Sequence, residues 1–298
     1  MFPVEGSNEI TYFTSAMKSF LFTLLVLGTS FTVHAQRPAV AVAWDLEDDA
    51  LMRASGYKFF VEKVDKIISP QKVSNEQFAQ NAATIKKLKT NMFAVNYFLP
   101  GNLKVIGPDV NEEAILAYTD LVFQRCQQIG VDLVVWGSGG SRRLPDGWDY
   151  EKAVDQFVSI AKKVAMQAQK YNILLTVENL NKTEANFLNG FDEVVNVVKR
   201  VNEPNLMACV DIYHMLMDGD PPSMIAMGKG ITFHCDIAEK ADRDPPGTLG
   251  DEVVPYLEEL KKIDYKGKIV IEARWDDFPK EAPATLKYLE ARVKEAWK

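Results

Sequence analysis

The sequence predicts an α/β fold, a single (β/α)8 TIM barrel domain over residues 36–298. Eight short apolar runs alternate with segments whose apolar residues recur at helical spacing. No proline-rich or low-complexity linker separates these elements. A doubly wound open sheet is the structural alternative, but no Gly-x-Gly-x-x-Gly pattern follows the first strand. The number of runs and their regular alternation therefore favour the barrel.

The predicted strands are short and mostly apolar, and in chain order they cover residues 39–43, 57–61, 92–98, 131–136, 173–177, 206–210, 230–234 and 268–271. The fourth is nearly all apolar, as expected of a parallel strand buried on both faces. The predicted helices cover residues 46–55, 75–88, 112–129, 150–170, 191–201, 222–227, 253–263 and 282–297. Ser74 is the expected N-cap of the second helix, and Gly130 is expected to end the third.

Residues 1–35 are predicted to be a leader and a secretory signal peptide. Met17-Lys18 precedes an apolar run, and Val33-x-Ala35 precedes the polar Gln36, which is typical of a signal peptidase site. The apolar run is short for the roughly 20 residues of a membrane-spanning helix. We therefore expect cleavage after Ala35 and a secreted, periplasmic protein that has no membrane attachment after cleavage.

The composition is globular and acidic, with 47% hydrophobic residues, a formal net charge of -7 and a pI of about 5.2. This charge argues against a nucleic-acid partner and against an anionic membrane surface. Cys126, Cys209 and Cys235 match no Cys-x-x-Cys pattern and are expected to be buried free thiols. A disulfide between neighbouring strands remains the alternative.

Acidic residues and a histidine stand at the ends of four consecutive predicted strands, the fifth to the eighth. These residues are Glu178, Asp211, His234 with Asp236, and Glu272. The carboxyl ends of barrel strands meet at one mouth, so the carboxylates would repel one another there without a cation. A divalent metal resolves the repulsion. Oxygen ligands favour Mn²⁺ or Mg²⁺, whereas a histidine ligand would admit Co²⁺ or Zn²⁺.

The segments Glu178-Asn-Leu-Asn-Lys-Thr-Glu184 and Asp211-Ile-Tyr-His214-Met resemble the core motifs of a known family. They are similar to those of ketose 3-epimerases of the tagatose/psicose 3-epimerase type and of secreted sugar isomerase/epimerase-like proteins. Those proteins belong to the xylose-isomerase-like barrels, also called the AP endonuclease family 2 type. The resemblance is good over residues 173–215 and supports the predicted barrel.

The resemblance implies roles for individual residues. Glu178 and Glu272 would bind the metal and also form the catalytic acid/base pair, and Asp211 would be a further metal ligand. Glu184, together with His214 and Arg243, would contact the sugar.

The seventh strand departs from the family pattern, which is His-x-His-x-x-Glu with the second histidine on the metal. This chain has His234-Cys235-Asp236-Ile-Ala-Glu239, so Asp236 takes the place of that histidine. Residues two apart on a strand face the same way. The sequence therefore leaves open whether His234 or Asp236 binds the metal.

Further substrate contacts are expected from aromatic residues and from a glycine-rich loop. Aromatic residues at strand ends are candidates for a sugar-stacking wall, namely Trp44, Trp136, Phe98 and Trp275. Packing inside the barrel is the alternative. Arg142, in the loop 137–143, is a candidate for binding an anion together with backbone N–H groups. The alternative is a turn whose arginines pair with neighbouring acids.

These observations predict a metal-dependent sugar isomerase or epimerase that abstracts a proton next to a carbonyl. Two carboxylates on opposite sides of a bound sugar can remove a proton and return it on the other face. The alternatives are a lyase or hydratase acting on 3-keto-glycosides or 3-keto-sugars at the same site, and a catalytically inactive periplasmic sugar-binding barrel. The expected partner is a small carbohydrate, and the sequence is compatible with a homo-oligomer. An endonuclease is disfavoured because His214 and His234 are the only histidines after residue 35.

Overall fold

Eight parallel strands close into a barrel in a computed structural model that describes residues 36–298. Each strand pairs with the next, and the first pairs with the eighth, with Ala41 opposite Val270. The predicted (β/α)8 TIM barrel is confirmed. No helix in the described part of the chain is both long enough and apolar enough to cross a membrane. The signal peptide predicted over residues 1–35 lies outside the described residues and stays a prediction.

The strands of the barrel are β1 Val40–Ala43, β2 Phe59–Lys63, β3 Asn91–Asn96, β4 Leu133–Trp136, β5 Leu174–Glu178, β6 Leu206–Asp211, β7 Thr232–Ile237 and β8 Ile269–Ile271. The α-helices are α1 Asp49–Ala54, α2 Val64–Ile67, α3 Asn75–Ile85, α4 Glu112–Ile129, α5 Tyr150–Gln169, α6 Phe191–Val201, α7 Ile212–Asp218, α8 Val254–Lys262 and α9 Phe278–Ala296. Two 3₁₀ segments, Leu46–Asp48 and Pro222–Gly228, complete the described elements.

The predicted bounds of α4 and α6 agree with the structure at both ends. The expected caps are also present, since Ser74 Oγ accepts from the backbone N–H of Gln77 at 3.2 Å and Gly130 has a φ of 75°. The short helices α2 and α7 were missed because one or two turns show no clear periodicity. All three cysteines are buried and free, as expected.

Side chains inside the barrel form a separate apolar layer below the mouth, which includes Ala41, Val61, Ala94, Leu133 and Val270. Alternate residues of each strand point inward. Glu272 follows Val270 by two positions and therefore lies above this layer. The same period of two places Glu178, Asp211 and Asp236 at the mouth. The closed barrel thus brings the polar residues at four strand ends together on top of the apolar layer.

Candidate active site

Four carboxylates converge at the mouth of the barrel. Glu178, Asp211, Asp236 and Glu272 each offer an oxygen, and these oxygens all lie within 4.8 Å of one another. The first three side chains are buried, and Glu272 is half-buried. In the β6–β7 pairing Asp211 is directly opposite Asp236, so the two lie at the same level of the barrel. The structure brings together the acids that the strand ends predicted.

Two basic side chains compensate part of this negative charge. Arg243 Nη2 donates to Glu272 Oε2 at 2.6 Å and lies 3.7 Å from Asp211 Oδ2. His214 Nε2 lies 3.3 Å from Asp211 Oδ2 and 3.6 Å from Glu178 Oε1. Both Asp211 Oδ2 and His214 Nε2 are buried without a hydrogen-bond partner among the described residues. Unpaired buried polar atoms are costly, so the cluster fits an additional cation.

The pKa shifts of these groups also reflect negative charge that Arg243 and His214 compensate only in part. Burial raises the pKa of Glu272 to about 8, although Arg243 opposes the shift. Burial also raises the pKa of Asp211 to about 7, opposed by His214 and Arg243. Burial would lower the pKa of His214, but the nearby Asp211 and Glu178 raise it to about 9. For Glu178, the His214 and Arg243 charges outweigh burial and lower its pKa. A bound cation would favour the ionised form of every carboxyl in the cluster.

The geometry favours Asp236 over His234 as the group that faces a cation. His234 lies one inward position below Asp236, and its Nε2 is 3.1 Å from Asp236 Oδ1. Cys209 Sγ donates to the other oxygen, Asp236 Oδ2, at 3.3 Å. These contacts hold the Asp236 carboxylate from below. His234 therefore supports the acid, and Asp236 adds an oxygen donor to those of the other three acids, which suits a hard divalent metal.

A cavity of about 410 Å³ opens above the carboxylates, a volume in the range of small-molecule sites. The three predicted sugar contacts, Glu184, His214 and Arg243, all line it. Arg243 Nη1 also donates to Glu184 at 3.2 Å, and its guanidinium lies 4.5 Å from the centre of the Tyr213 ring. The predicted contacts therefore form one connected polar wall.

Gly137 makes room for one of the acids. A Cβ atom at this position would lie 2.2 Å from Glu178 Oε2, far inside van der Waals contact. The glycine at the end of β4 therefore fits the Glu178 carboxylate against the strand. This close approach gives Gly137 a role beyond the turn predicted for the loop.

The structure adds Asn96 and Tyr97, which the sequence reading did not select. Asn96 Nδ2 donates to Glu272 Oε1 at 2.8 Å. Tyr97 lines the cavity with 52% of its surface exposed, and its φ is 55°. A positive φ is unusual for a residue this large. Asn96 ends β3 and Tyr97 follows it, so the position of a polar residue at a strand end, which predicts the acids, is also the signal for these two residues.

Two predicted substrate contacts do not reach the cavity. Trp136 is 0% exposed and packs edge-on against Phe98, with ring centres 5.5 Å apart. Arg142 is also 0% exposed, and its Nη2 donates to the backbone carbonyl of Glu178 at 2.6 Å. Trp136 pairs with Val177, the neighbour of the inward-facing Glu178. Because side chains alternate along a strand, both Val177 and Trp136 face the helices rather than the interior. The expectation that Trp136 and Arg142 bind substrate is therefore corrected, since both belong to the core.

Trp44 lines a second cavity, of about 570 Å³, which adjoins the first. The two cavities share the lining residues Asn96, Tyr97, Glu184, Arg243 and Glu272. Trp275 packs edge-on against Trp44 and lines neither of them. Of the four aromatic residues expected to form a sugar-stacking wall, Trp44 alone lines one of these two cavities.

Two curated proteins named as sugar 3-epimerases match part of the chain. D-psicose 3-epimerase of Ruminiclostridium cellulolyticum is 29% identical over 180 residues, which is 57% of this chain and 59% of that protein. L-ribulose 3-epimerase of Methylomonas sp. is 30% identical over 118 residues, which is 39% of this chain and 41% of that protein. The matched part thus spans at most 59% of the length of either relative.

Solved structures share the fold. The structure of 3-keto-D-glucoside 4-epimerase from E. coli superposes with a TM-score of 0.71 at 16% identity, covering 86% of this chain and 100% of that one. D-psicose 3-epimerase from Clostridium cellulolyticum, solved with D-tagatose, gives a TM-score of 0.69 at 18% identity, covering 87% and 96%. A family model described as a xylose isomerase-like TIM barrel matches residues 50–292. The chain therefore belongs to the xylose isomerase-like TIM barrel family.

Proposed function

We propose that this protein is a metal-dependent sugar isomerase or epimerase. The observation that carries the proposal is the group of four carboxylate oxygens, all within 4.8 Å of one another, two of whose acids, Glu178 and Glu272, line a cavity of about 410 Å³. Carboxylates are suited both to holding a hard cation and to moving protons. The epimerases among the matched relatives support the same class of reaction.

Glu178, Asp211, Asp236 and Glu272 would hold the metal. Their oxygen atoms favour Mn²⁺ or Mg²⁺, and Co²⁺ or Zn²⁺ would be admitted if His214, which lies close to Glu178 and Asp211, joined the ligands. When bound, the metal would polarise the sugar carbonyl and so acidify the neighbouring C–H bond.

Glu178 and Glu272 would carry out the proton transfers. They stand at the ends of β5 and β8, with two strands between them, and both line the cavity. One carboxylate takes the proton from the carbon next to the carbonyl, and the other carboxyl donates a proton to the opposite face of the same carbon. The sugar gains and loses one proton, so the step needs no further reactant.

The remaining polar groups would position the sugar and the acids. Arg243 and His214 face the cavity with N–H donors, and Glu184 offers an acceptor for a hydroxyl group. Asn96 fixes the orientation of Glu272 by its hydrogen bond to Oε1. Held in this way, the acid needs little rearrangement to reach the reacting carbon.

A lyase or hydratase acting on 3-keto-glycosides is the second candidate. It would begin with the same proton abstraction, after which the group on the next carbon leaves. The second cavity beside Trp44 favours this candidate because it offers space for a group beyond the first sugar ring. The products of the reaction would distinguish the two.

The test uses purified protein freed of metal by a chelator and reloaded with Mn²⁺ or Mg²⁺. Metal analysis should give one ion per chain. Proton exchange from D₂O into D-fructose, D-psicose and 3-keto-glucosides should be visible by NMR and lost in Glu178→Gln and in Glu272→Gln. Exchange that survives in both variants would refute the assigned pair. Tight sugar binding without any exchange would instead support an inactive sugar-binding barrel.

A further inference from the structure

We infer that the second cavity is a subsite for a neutral glycosyl group, so that the substrate is larger than one sugar ring. The inference rests on the proposed function, because it assumes that the reacting sugar lies over the carboxylates. It extends that function by naming the class of substrate, a keto sugar that carries a second sugar unit.

The two cavities form one continuous space. Asn96, Tyr97 and Glu272 line both of them, so a molecule bound over the carboxylates borders directly on the second cavity. The inner cavity measures about 410 Å³ and the outer one about 570 Å³, and each lies within the range of small-molecule sites. A single sugar over the acids would leave the outer space unused.

Trp44 gives the outer cavity a rigid aromatic wall. One face of its ring stacks on Phe278, with ring centres 4.1 Å apart and the planes 7° from parallel. Trp275 packs edge-on against it, and Trp44 Nε1 donates to Asp48 at 2.9 Å. These contacts fix the ring before any ligand binds. A pyranose presents apolar C–H groups on its faces, for which a fixed aromatic surface is a matching partner.

Tyr97 lies where the two cavities meet. Its side chain is 52% exposed, and its backbone is held at a φ of 55°. A large residue in this conformation costs free energy, and such strain is typical of functional positions. Tyr97 also follows Asn96, which holds Glu272. The residue that contacts the second unit would thus adjoin one that positions a catalytic acid.

The charges around the outer cavity favour a neutral ligand. Its basic lining residues are Lys63, Lys66, Arg243 and Arg274, and its acidic ones are Asp45, Glu62, Glu184 and Glu272. Lys66 pairs with Asp45, and the Lys63 ammonium lies 5.3 Å from the centre of the Tyr97 ring. Arg243 is likewise paired with Glu184 and Glu272. A phosphate or uronate site needs cationic donors that are free to contact the anion, so a lining whose cations are engaged in this way suits a neutral sugar unit.

The test compares ketoses with and without a second sugar, using the metal-loaded protein. The probes are D-fructose, D-fructose 6-phosphate, and the disaccharides lactulose and isomaltulose, in which a hexosyl group is attached to a fructose unit. We expect kcat/KM for proton exchange to be about tenfold higher for at least one disaccharide than for D-fructose. Preference for the phosphate over both disaccharides would overturn the neutral assignment.

Variants of the lining residues test which side chains cause the preference for disaccharides over D-fructose. Trp44→Ala and Tyr97→Ala should each lower the ratio of disaccharide to D-fructose kcat/KM about threefold to tenfold, the loss expected for one aromatic contact. Tyr97→Phe should keep the ratio, because the ring remains. Trp148→Ala is the matched control, since Trp148 lines neither cavity and is not among the aromatic residues that hold Trp44, and its ratio should equal that of the wild type.

The outcomes separate the two proposals. Exchange with D-fructose but no gain for either disaccharide would overturn the subsite and leave the proposed function standing. Absence of exchange with every sugar would overturn the proposed function. Calorimetric binding of the same sugars then decides the subsite, and equal affinities for D-fructose and the disaccharides would refute it.

Discussion

The guanidinium of Arg243 donates from Nη2 to Glu272 Oε2 at 2.6 Å, and the same nitrogen lies 3.7 Å from Asp211 Oδ2. Both acids are proposed metal ligands. Arg243 therefore neutralises part of the negative charge that a metal would neutralise, and it is also the proposed contact to the sugar.

Removal of the Arg243 charge should strengthen metal binding. The guanidinium repels a second cation bound at the same acids, so Arg243→Gln should raise the affinity for Mn²⁺ about tenfold or more. Titration calorimetry of the chelator-treated protein measures this effect. Arg243→Lys keeps the charge and should bind Mn²⁺ much like the wild type. An unchanged or weaker affinity in Arg243→Gln would show that the guanidinium and the metal do not share these acids.

Replacement of Asp236 should weaken metal binding more than replacement of His234. Asp236→Ala removes a proposed ligand and should weaken Mn²⁺ binding more than hundredfold. His234→Ala removes the support of that ligand and should cost about tenfold to a hundredfold. Cys209→Ser keeps a donor near Asp236 Oδ2 and serves as the control. Calorimetry gives the order of the three affinities, and a larger loss in His234→Ala would reverse the assignment.

A methyl group at Gly137 should disturb Glu178 selectively. The new Cβ would lie 2.2 Å from Glu178 Oε2, and the carboxylate is the part free to shift. Gly137→Ala should lower proton exchange about a hundredfold, the cost of a misplaced catalytic group, with little change in Tm. Gly101→Ala is the comparison, because its Cβ would meet the Gly140 backbone at an ordinary 3.7 Å. Wild-type exchange in Gly137→Ala would contradict the close packing.

Glu62 should make the fold less stable as the pH rises. Burial raises its pKa from 4.5 to about 7, although the backbone N–H groups of Lys63 and Leu46 oppose the shift. Between these values the folded chain holds a proton that the unfolded chain has released. The free energy of unfolding therefore falls from pH 4.5 to 7, by up to about 3 kcal/mol for this group.

Urea unfolding at pH 5 and pH 8, in the presence of a chelator, measures this dependence. Glu62→Gln has no proton to lose, so the variant should lose less stability over the interval than the wild type. Asp211 and Glu272 titrate in both proteins and cancel in the comparison. An equal pH dependence in the two proteins would show that Glu62 is not the buried acid responsible.

The sequence predicted the barrel and the acidic floor because both depend on local rules. Strand ends of a parallel barrel meet at one mouth, and residues two apart share a face. Glu178, Asp211, Asp236 and Glu272 needed nothing further to be selected. Their closeness in space follows from closure of the barrel, which eight alternating units already indicated.

The errors arose where the inward face of a strand decides the role. Trp136 ends a strand but pairs with Val177, so it points toward the helices. Arg142 follows in a loop that folds beneath Glu178. The second cavity and the position of Tyr97 depend on packing among loops that are distant in the chain, which no local pattern records. The choice between Asp236 and His234 likewise required their depth in the barrel.

All four proposed metal ligands lie on or directly after β5 to β8, whereas Trp44, Asn96 and Tyr97 come from the loops and strand ends of the first three units. The proposed metal ligands therefore lie in the second half of the chain, whereas the aromatic residues of the proposed subsite lie in the first half. A mutant library confined to codons 44–48 and 97–101 could retarget the enzyme to new glycosides while its reacting groups stay intact. Natural divergence could follow the same route, with new substrates accommodated by substitutions in the amino-terminal half alone.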